Sequence, residues 1–342
     1  MNLIKGFLIL VTLFLLPSCK CNNRKNVSLP DAEINLPVKR LDLVLFQLGT
    51  DSLGAKFRVM NEKYDDFLSF YVTNILSLGD YKKQPEQTIE NLAKYLNDPY
   101  VQEVRDSCEK VFSDFSPYKK KLEQALRYFK YYFPEKPLPQ VVTFLSNFSY
   151  SAITFDTLYL GIGLDMHLGE NFKYYTDLYP RYMYEKFSSE YLVANSVKAL
   201  ATQHFQIEPK DNTVLSQMIA KGIALHFTDL LMPDAEDYKK IGYNPEDIQW
   251  CMMSEPEIWK FFVDKQLLYS TDMLQNRQYI SPGPSASGMP REAPGNIGSW
   301  LGWRIVRAYV KKYPDTKFEE LLKIEPQEML VKSGYKPARN LF

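Results

Sequence analysis

The chain has 342 residues, of which 45% are hydrophobic and 24% are charged. This composition is typical of a folded globular protein and argues against a disordered one. Lysine plus arginine and aspartate plus glutamate each number 41, so the formal net charge is zero. Because the charges are interspersed and no positive excess is present, we do not expect a nucleic-acid partner.

Residues 1–18 have the pattern of a lipoprotein signal peptide. A lysine at position 5 precedes an apolar run over residues 6–16, and LPSC ends the segment at Cys19. The apolar run is too short for a permanent membrane span. The cysteine resembles that of the bacterial lipobox, in which it is acylated, as with palmitate, and becomes the first mature residue. Pro17 departs from the usual lipobox residue, and an ordinary secretory signal is the alternative.

Acylation of Cys19 predicts where the protein resides. Two acyl chains are enough for stable membrane attachment, so we expect a lipid-anchored protein of the cell envelope. No acidic cluster follows Cys19, which favours a periplasm-facing protein on the outer or inner membrane. Residues 19–37 are polar and are predicted to form a flexible tether, and residues 38–342 are predicted to form a single globular domain.

Three further cysteines are present, Cys21, Cys108 and Cys251. An oxidising periplasm would allow Cys108 to pair with Cys251. Their sequence context shows no disulfide framework, so the favoured interpretation is that both are small buried hydrophobic residues.

The spacing of apolar residues predicts a largely helical chain. Residues 38–51 are predicted as a short strand or extended segment. Apolar residues then recur every three or four positions over residues 57–76, which predicts one long amphipathic helix. Further helices are predicted over residues 84–96, 98–112, 116–133, 179–187, 188–204, 211–229, 244–252, 254–267, 295–312 and 316–323.

One region predicts strands. QVVTFLSN and TLYLGIGLDM, between residues 140 and 170, are rich in β-branched and aromatic residues, and residues 147–156 between them predict a hairpin loop or a third short strand. The fold class is therefore α+β, mostly α-helical, with a small antiparallel or mixed sheet around residues 140–166. Gly161 and Gly163 do not continue into a dinucleotide-binding motif, and we interpret them as part of an edge strand that Asp165 ends.

The histidines give no metal motif. His167, His204 and His226 are the only three, and none lies in an H-E-x-x-H sequence. Their spacing gives no sign of a zinc site, so structural histidines are the favoured interpretation. We predict no metal and no cofactor.

Carboxylates cluster in two places, at residues 229–237 and at Glu255 with Glu257. A pair of such groups is what glycoside hydrolysis requires. The sequence SEPEIW is also an ordinary helix start, in which Ser254 caps the helix and acids favour its dipole. Capping is the favoured interpretation.

The last long helix follows a loop over residues 281–294 that is rich in proline, glycine and serine. Its sequence, GNIGSWLGWRIVRAYVKK, contains Trp300, Trp303 and two arginines, Arg304 and Arg307, which are predicted to face a partner or to pair with buried acids. Gly302, one turn after Gly298, permits close packing against another helix. Core packing is the first interpretation, and a binding groove under the loop is the alternative.

Four stretches together resemble the gliding-motility lipoprotein GldB family. They are the lipobox, LYLGIGLDMHLGEN over residues 158–171, MIAKGIALHFTDLLMPD with the segment after it over residues 218–272, and residues 295–312. The resemblance implies an envelope lipoprotein linked with gliding motility and type IX secretion. It supplies no catalytic residues.

A more distant resemblance is to zinc-metallopeptidase-like proteins, which implies a degenerate zincin-like fold. In those proteins a helix begins with E-G-x-A, and its glutamate completes the zinc site. Here the sequence is KGIA, so Lys221 occupies the position of that glutamate. A protonated ammonium cannot bind zinc, so the resemblance implies a pseudo-peptidase that has lost its metal.

We therefore predict a non-catalytic, lipid-anchored component or accessory of the motility and secretion machinery that acts by protein–protein interaction. Whether it is an enzyme is left open, with the non-catalytic interpretation favoured. The alternative is an envelope hydrolase, acting on peptide or glycan through carboxylates near the loop 281–294. The predicted partners are the membrane, through Cys19, and other envelope proteins. The candidate binding-surface residues are Asp165, Lys221, His226, Trp300, Trp303 and Arg304.

Overall fold

The computed structural model of the chain describes residues 34–64, 66–156 and 158–337. The predicted signal peptide, Cys19 and most of the predicted tether lie outside these residues. Within them, no helix is both long enough and apolar enough to cross a membrane. The structure confirms a mostly helical α+β fold.

The strands are β1 (Val38–Arg40), β2 (Gln140–Phe144), β3 (Ala152–Phe155) and β4 (Tyr159–Gly163). The helices before β2 are α1 (Leu41–Val44), α2 (Leu53–Lys63), α3 (Phe67–Phe70), α4 (Pro85–Asn97), α5 (Pro99–Val111) and α6 (Ser116–Tyr132). Those after β4 are α7 (Tyr175–Leu178), α8 (Arg181–Tyr184), α9 (Leu192–His204), α10 (Val214–Leu231), α11 (Asp237–Ile241), α12 (Pro245–Met253), α13 (Glu255–Asp264), α14 (Met273–Ile280), α15 (Ile297–Lys312), α16 (Phe318–Leu321) and α17 (Pro326–Ser333).

The four strands form a mixed sheet in the order β1-β2-β4-β3. β1 pairs in parallel with β2, β2 pairs in parallel with β4, and β3 is antiparallel to β4. The predicted sheet region therefore gains one strand, β1, which comes from about a hundred residues earlier in the chain. The remainder of the predicted extended segment, after Arg40, turns directly into α1.

The prediction that Gly161 and Gly163 belong to an edge strand is wrong. β4 lies between β2 and β3, and its residues are all buried. A Cβ on Gly161 would lie 2.6 Å from the Phe144 ring, and one on Gly163 would collide with the Tyr150 carbonyl. A larger side chain would not fit at either position, so the two glycines allow the Phe144 ring and the Tyr150 carbonyl to pack against β4.

The predicted single helix over residues 57–76 is also wrong, because the chain breaks it. α2 ends at Lys63, and Asp66 has a left-handed backbone with φ 63° before α3 begins. The Asn61 side chain donates to Asp66 Oδ1 over 2.9 Å and accepts from the Ser69 backbone amide over 2.7 Å, which fixes the break. A π-helical turn over residues 71–75 follows α3. The apolar spacing continues across the break because both pieces face the same core.

Other predicted helices differ at their ends. The helix predicted over residues 179–187 is observed only as the shorter α8, and that predicted over residues 254–267 is observed as the shorter α13. A 3₁₀ turn over residues 267–269 follows α13. Five short helices, α1, α7, α11, α14 and α17, were not predicted. Ser254 occupies the predicted cap position of α13, but its side chain makes no capping hydrogen bond.

Apolar side chains from Leu36 to Met329 form one hydrophobic cluster. α9 packs against β3 and β4, α10 packs against α6 and α9, and α15 lies against α10 and α17. Aromatic rings fill the space between α6, α10 and α16, where Phe133 contacts Phe205, Phe227 and Phe318 at centroid distances of 4.9–5.8 Å. Cys108 and Cys251 are buried free thiols, which confirms that prediction.

Candidate functional site

A cleft of about 770 Å³ opens beside the sheet. Three chain segments form its walls: residues 168–172, which follow β4, residues 185–191, between α8 and α9, and residues 244–246, at the start of α12. A volume of this size falls within the range of ligand and recognition clefts in proteins.

Backbone and side-chain hydrogen bonds hold the walls together. Gly169 donates its backbone amide to the Phe187 carbonyl over 2.8 Å, which joins the first wall to the second. Tyr191 donates its hydroxyl to the Tyr243 carbonyl over 2.7 Å, which joins the second wall to the third. Asn244 caps α12 and forms a capping box with Asp247, so the start of that helix is fixed at the cleft.

His167 supports the cleft from behind. It is fully buried, and its two ring nitrogens face the carbonyls of Ser188 and Ser151 at 3.2 and 3.4 Å. Burial lowers the pKa of His167 to about 4, so the ring is neutral at neutral pH. A neutral ring donates to only one of the two carbonyls. The histidine is thus a structural one, and it positions the wall that contains Ser188.

The cleft is acidic. Its lining includes four glutamates, Glu170, Glu185, Glu190 and Glu246, together with the aromatic rings of Phe172 and Tyr191, and no lysine or arginine. Glu185 pairs with the exposed Arg181 at 2.6 Å, and Glu190 lies 3.6 Å from Lys239. Glu170 and Glu246 are exposed and make no ion pair with a described residue. The walls therefore present uncompensated negative charge beside aromatic surface.

Most of the predicted binding-surface residues lie elsewhere, along the contact between α10 and α15. Trp300 and Trp303 are buried in that contact, His226 is 8% exposed, and Arg304 is partly exposed. Lys221 projects from α10 as an exposed side chain. The structure thus brings these five residues onto one helix pair, but it does not join them into one open surface. Binding by the exposed Lys221 and Arg304 stays a prediction.

Asp165 is separate from that group and is fully buried at the end of β4. Its carboxylate accepts hydrogen bonds from the Ser146 amide and hydroxyl, and from the Phe148 amide over 2.6 Å. Burial raises the pKa of Asp165 to about 6, although these hydrogen bonds favour the charged form. The side chain holds the loop after β2, where Asn147 and Phe148 have positive φ.

A buried ion-pair network joins α10, α11 and α15. Arg307 donates to Asp229 over 2.6 and 2.7 Å and to Asp237 over 2.5 and 2.8 Å. Lys240, whose side chain is completely buried, donates to Asp229 over 2.9 Å, and the Trp303 indole donates over 2.8 Å. Two carboxylates and two cations balance each other, as a buried network requires.

The electrostatics of Asp229 follow from these contacts. Burial by itself would raise its pKa, but the hydrogen bonds and charge of Arg307, with contributions from His226 and Lys240, hold the pKa well below its ordinary value. The network therefore stays ionised at neutral pH. Of the two alternatives predicted for Arg307, facing a partner or pairing with acids, the structure shows the pairing.

Glu255 is likewise held by hydrogen bonds from neighbouring side chains. Its carboxylate accepts from the Arg304 guanidinium over 2.8 and 3.2 Å and from the Tyr335 hydroxyl over 2.7 Å. The pKa of Tyr335 is raised above its ordinary value, mainly by burial and then by the charge and hydrogen bond of this carboxylate. Arg304, predicted to face a partner or to pair with an acid, pairs with this one.

No group of three or more histidine, cysteine, aspartate and glutamate side chains with metal-binding geometry occurs among the described residues. The cleft glutamates were not predicted as site residues, because they come from three segments separated by tens of residues. Their only local signal was the turn chemistry of GEN at residues 169–171 and NPED at residues 244–247.

Fold and site thus define a mostly helical α+β protein that has an open acidic cleft and a separate buried ion-pair network. Residues 20–337 match the family described as gliding motility protein GldB, and the chain therefore belongs to the GldB family. The resemblance seen in the sequence is confirmed, and the family associates the chain with gliding motility and with lipoproteins of the cell envelope. No curated protein and no solved structure matches the chain.

Proposed function

We propose that this protein is a non-catalytic, lipid-anchored, periplasm-facing component of the motility and secretion machinery, and that it binds a partner protein through the acidic cleft. The observation that carries the proposal is the cleft itself, with about 770 Å³ of space, four glutamates and two aromatic rings. Such walls complement a segment that presents lysine or arginine, through charge attraction and cation–π contact.

Two further observations support a binding role. Two of the stretches that carry the family resemblance, residues 158–171 and 240–272, supply parts of the cleft walls. The buried or partly buried carboxylates Asp229, Asp237 and Glu255 are occupied by ion pairs with arginines. A carboxylate held in this way is poorly placed for acid–base catalysis, which requires access to substrate.

The alternative of an envelope hydrolase receives less support. Glu255, the buried acid of SEPEIW, is neutralised by Arg304 and hydrogen-bonded to Tyr335. The loop over residues 281–294 packs inward through the buried Ala286 and Ala293. The acidic cleft lies at other segments.

The test is site-specific photo-crosslinking in intact cells that carry the protein as their only copy. A photoreactive residue at Asn171 or Ser188, both in the cleft walls, is expected to capture a component of the motility or secretion apparatus. The same residue at Lys94, exposed on α4, serves as the control and should capture nothing specific.

Charge reversal then tests the predicted chemistry of the partner. We expect Glu170→Lys with Glu246→Lys to abolish the crosslink, because both carboxylates face the cleft without an ion pair. Glu86→Lys with Glu90→Lys, at exposed positions of α4, should leave it unchanged. A crosslink that survives the cleft reversal contradicts the proposed site. Hydrolysis of peptide or glycan by purified protein, lost in Glu255→Gln, would instead establish the hydrolase alternative.

A further inference from the structure

Lys198 is a partly buried lysine with no counter-ion. It lies on α9, and its Nζ reaches the end of α11, 3.7 Å from the position that a Cβ on Gly242 would occupy. Its ammonium makes no hydrogen bond and no ion pair with a described residue. Gly242 has a left-handed backbone with φ 83°, and its missing side chain leaves the ammonium uncovered.

Three other cations that are buried or partly buried in the described part of the chain are paired with carboxylates. Lys240 is paired with Asp229, Arg307 with Asp229 and Asp237, and Arg40 with Asp42 at 2.7 Å. Pairing is the rule because removing water from a charge costs free energy that only an opposite charge or strong hydrogen bonds restore. An unpaired lysine in such a place therefore calls for an explanation.

A second ammonium group, that of Lys186, lies near Lys198. Burial and, to a smaller extent, the nearby ammonium of Lys186 together lower the pKa of Lys198 to about 8. Lys186 itself lies 3.5 Å from Asp247 and is paired with it. His167, whose pKa the charge of Lys198 also depresses, is neutral at neutral pH. Because Asp247 is the partner of Lys186, the single positive charge of Lys198 has no counter-ion among these groups.

We propose that Lys198, assisted by Lys186, forms a binding site for one carboxylate group supplied from outside the chain. A carboxylate carries one negative charge and so matches the single unbalanced positive charge, whereas a phosphate at neutral pH carries more. The group reaches Lys198 because the lysine is partly exposed and Gly242 has no side chain. This site is separate from the acidic cleft, whose lining does not include Lys198.

The first experiment follows the Lys198 Cε–Hε resonance by NMR against pH in the full mature chain, with sodium acetate or with sodium chloride at equal ionic strength. Acetate should move the titration midpoint upward by about one pH unit or more, because a bound carboxylate favours the charged amine. Chloride should not. A midpoint at the ordinary lysine value, or one that acetate leaves unmoved, overturns the proposal.

The second experiment measures Tm. Acetate should raise the Tm of the wild-type chain relative to matched chloride, should do so equally in the control Lys94→Met, and should have no effect in Lys198→Met. Without acetate, Lys198→Met should have a higher Tm than the wild type, because an unpaired ammonium has been removed. An acetate effect that persists in Lys198→Met, or in Lys198→Gln if the methionine variant does not fold, refutes the site.

The source of the carboxylate is resolved by two peptide arms of the same Tm measurement. One arm uses a short neutral peptide with a free C-terminal carboxylate, and the other uses its amidated form. If the free peptide raises Tm at a lower concentration than acetate does and the amidated form has no effect, the site is supported and its ligand is a protein terminus. Equal action of acetate and the free peptide supports it with a small carboxylate as ligand. Equal action of the free and amidated peptides contradicts it.

Discussion

Asp165 and His167 show how burial controls the charge of single residues here. They are two positions apart, and both are fully buried. Burial disfavours the charged form of each, so it raises the pKa of Asp165 to about 6 and lowers that of His167 to about 4. Both side chains hold loops at the end of the sheet, and His167 supports a wall of the cleft. The sequence predicted a structural histidine and an aspartate at the end of a strand, but it did not show which loops these side chains hold.

The His167 shift predicts a dependence of stability on pH. The unfolded chain takes up a proton at this histidine near pH 6.5, whereas the native state does so only near pH 4, so the free energy of unfolding falls as pH decreases from 6.5 to 4. Asp165 acts in the opposite direction between its ordinary pKa of 3.8 and about 6, because the native state binds that proton first.

Urea unfolding at pH 7 and pH 5 checks the histidine contribution. Between pH 7 and pH 5 the free energy of unfolding should fall by about 2 kcal/mol more in the wild type than in His167→Gln. Only the wild type has this histidine to protonate on unfolding. The comparison is made within each protein, so any loss of stability common to both pH values cancels. An NMR titration that places His167 near pH 6.5 would contradict the prediction.

Arg307 is the residue on which the buried network depends. Replacing it by methionine removes the cation that Asp229 and Asp237 share through four hydrogen bonds, in a largely buried setting, while Lys240 still contacts both. We expect Arg307→Met to lower the free energy of unfolding by about 3–5 kcal/mol, the usual effect of removing one partner of a buried pair. Equilibrium unfolding in urea measures this.

Arg181→Met is the matched control, because Arg181 is 79% exposed and pairs with Glu185 one helical turn away. Exposed pairs contribute little, so its effect should stay within about 0.5 kcal/mol. Equal losses in the two variants would show that the network does not contribute as described.

At the scale of elements, α10 and α15 form the central contact of the helical part. A Cβ on Gly222 would lie 2.5 Å from backbone atoms of Gly302, and one on Gly302 would collide with the Met218 carbonyl. The small residues were recognised in the sequence as permitting close packing. The sequence did not show that Gly222 and Gly302 face each other, since they are eighty positions apart.

The crossing predicts opposite effects for two glycine-to-alanine changes in helices. Gly302→Ala should destabilise the protein by about 1–3 kcal/mol or more, because the added methyl group forces the helices apart. Gly54→Ala, in α2, should be neutral or stabilising by up to about 1 kcal/mol, because its Cβ would meet only Ile89 at 3.9 Å. Thermal unfolding followed by circular dichroism compares them. A Gly302→Ala variant as stable as wild type would mean that the helices are not in backbone contact.

Elements were predicted well where the signal is local. The helix predicted over residues 295–312 is observed as Ile297–Lys312, and that over residues 98–112 as Pro99–Val111. Asp98 caps the latter through its side chain, and Pro99 occupies its first turn. Prediction failed at Asp66, because the Asn61 side-chain bonds that break the helix leave no trace in the apolar spacing.

At the scale of the whole molecule, one hydrophobic cluster runs from the sheet to the last helices. It predicts that the sheet and helical parts unfold together. Fluorescence of Trp300 and Trp303, both buried in α15, reports on the helical part. The reactivity of the buried Cys108 thiol in α5 reports on the part that contains the sheet.

In a chain with Cys19, Cys21 and Cys251 replaced by alanine, the two signals should change at the same urea concentration. Cooperative unfolding of a shared core is the physical reason. Two separate midpoints would show that the single domain predicted for residues 38–342 consists of two units.

The sequence by itself determined the features whose causes are local: the helical character, the strand region, the signal peptide pattern and the family motifs. The tertiary structure decided the acidic cleft, the interior position of β4, the α10–α15 crossing and the unpaired Lys198. Each of these depends on groups that are far apart in the chain and meet only when the core closes. The closed core also sets the pKa values and ion pairs of charged side chains, because these depend on burial and on neighbours in space.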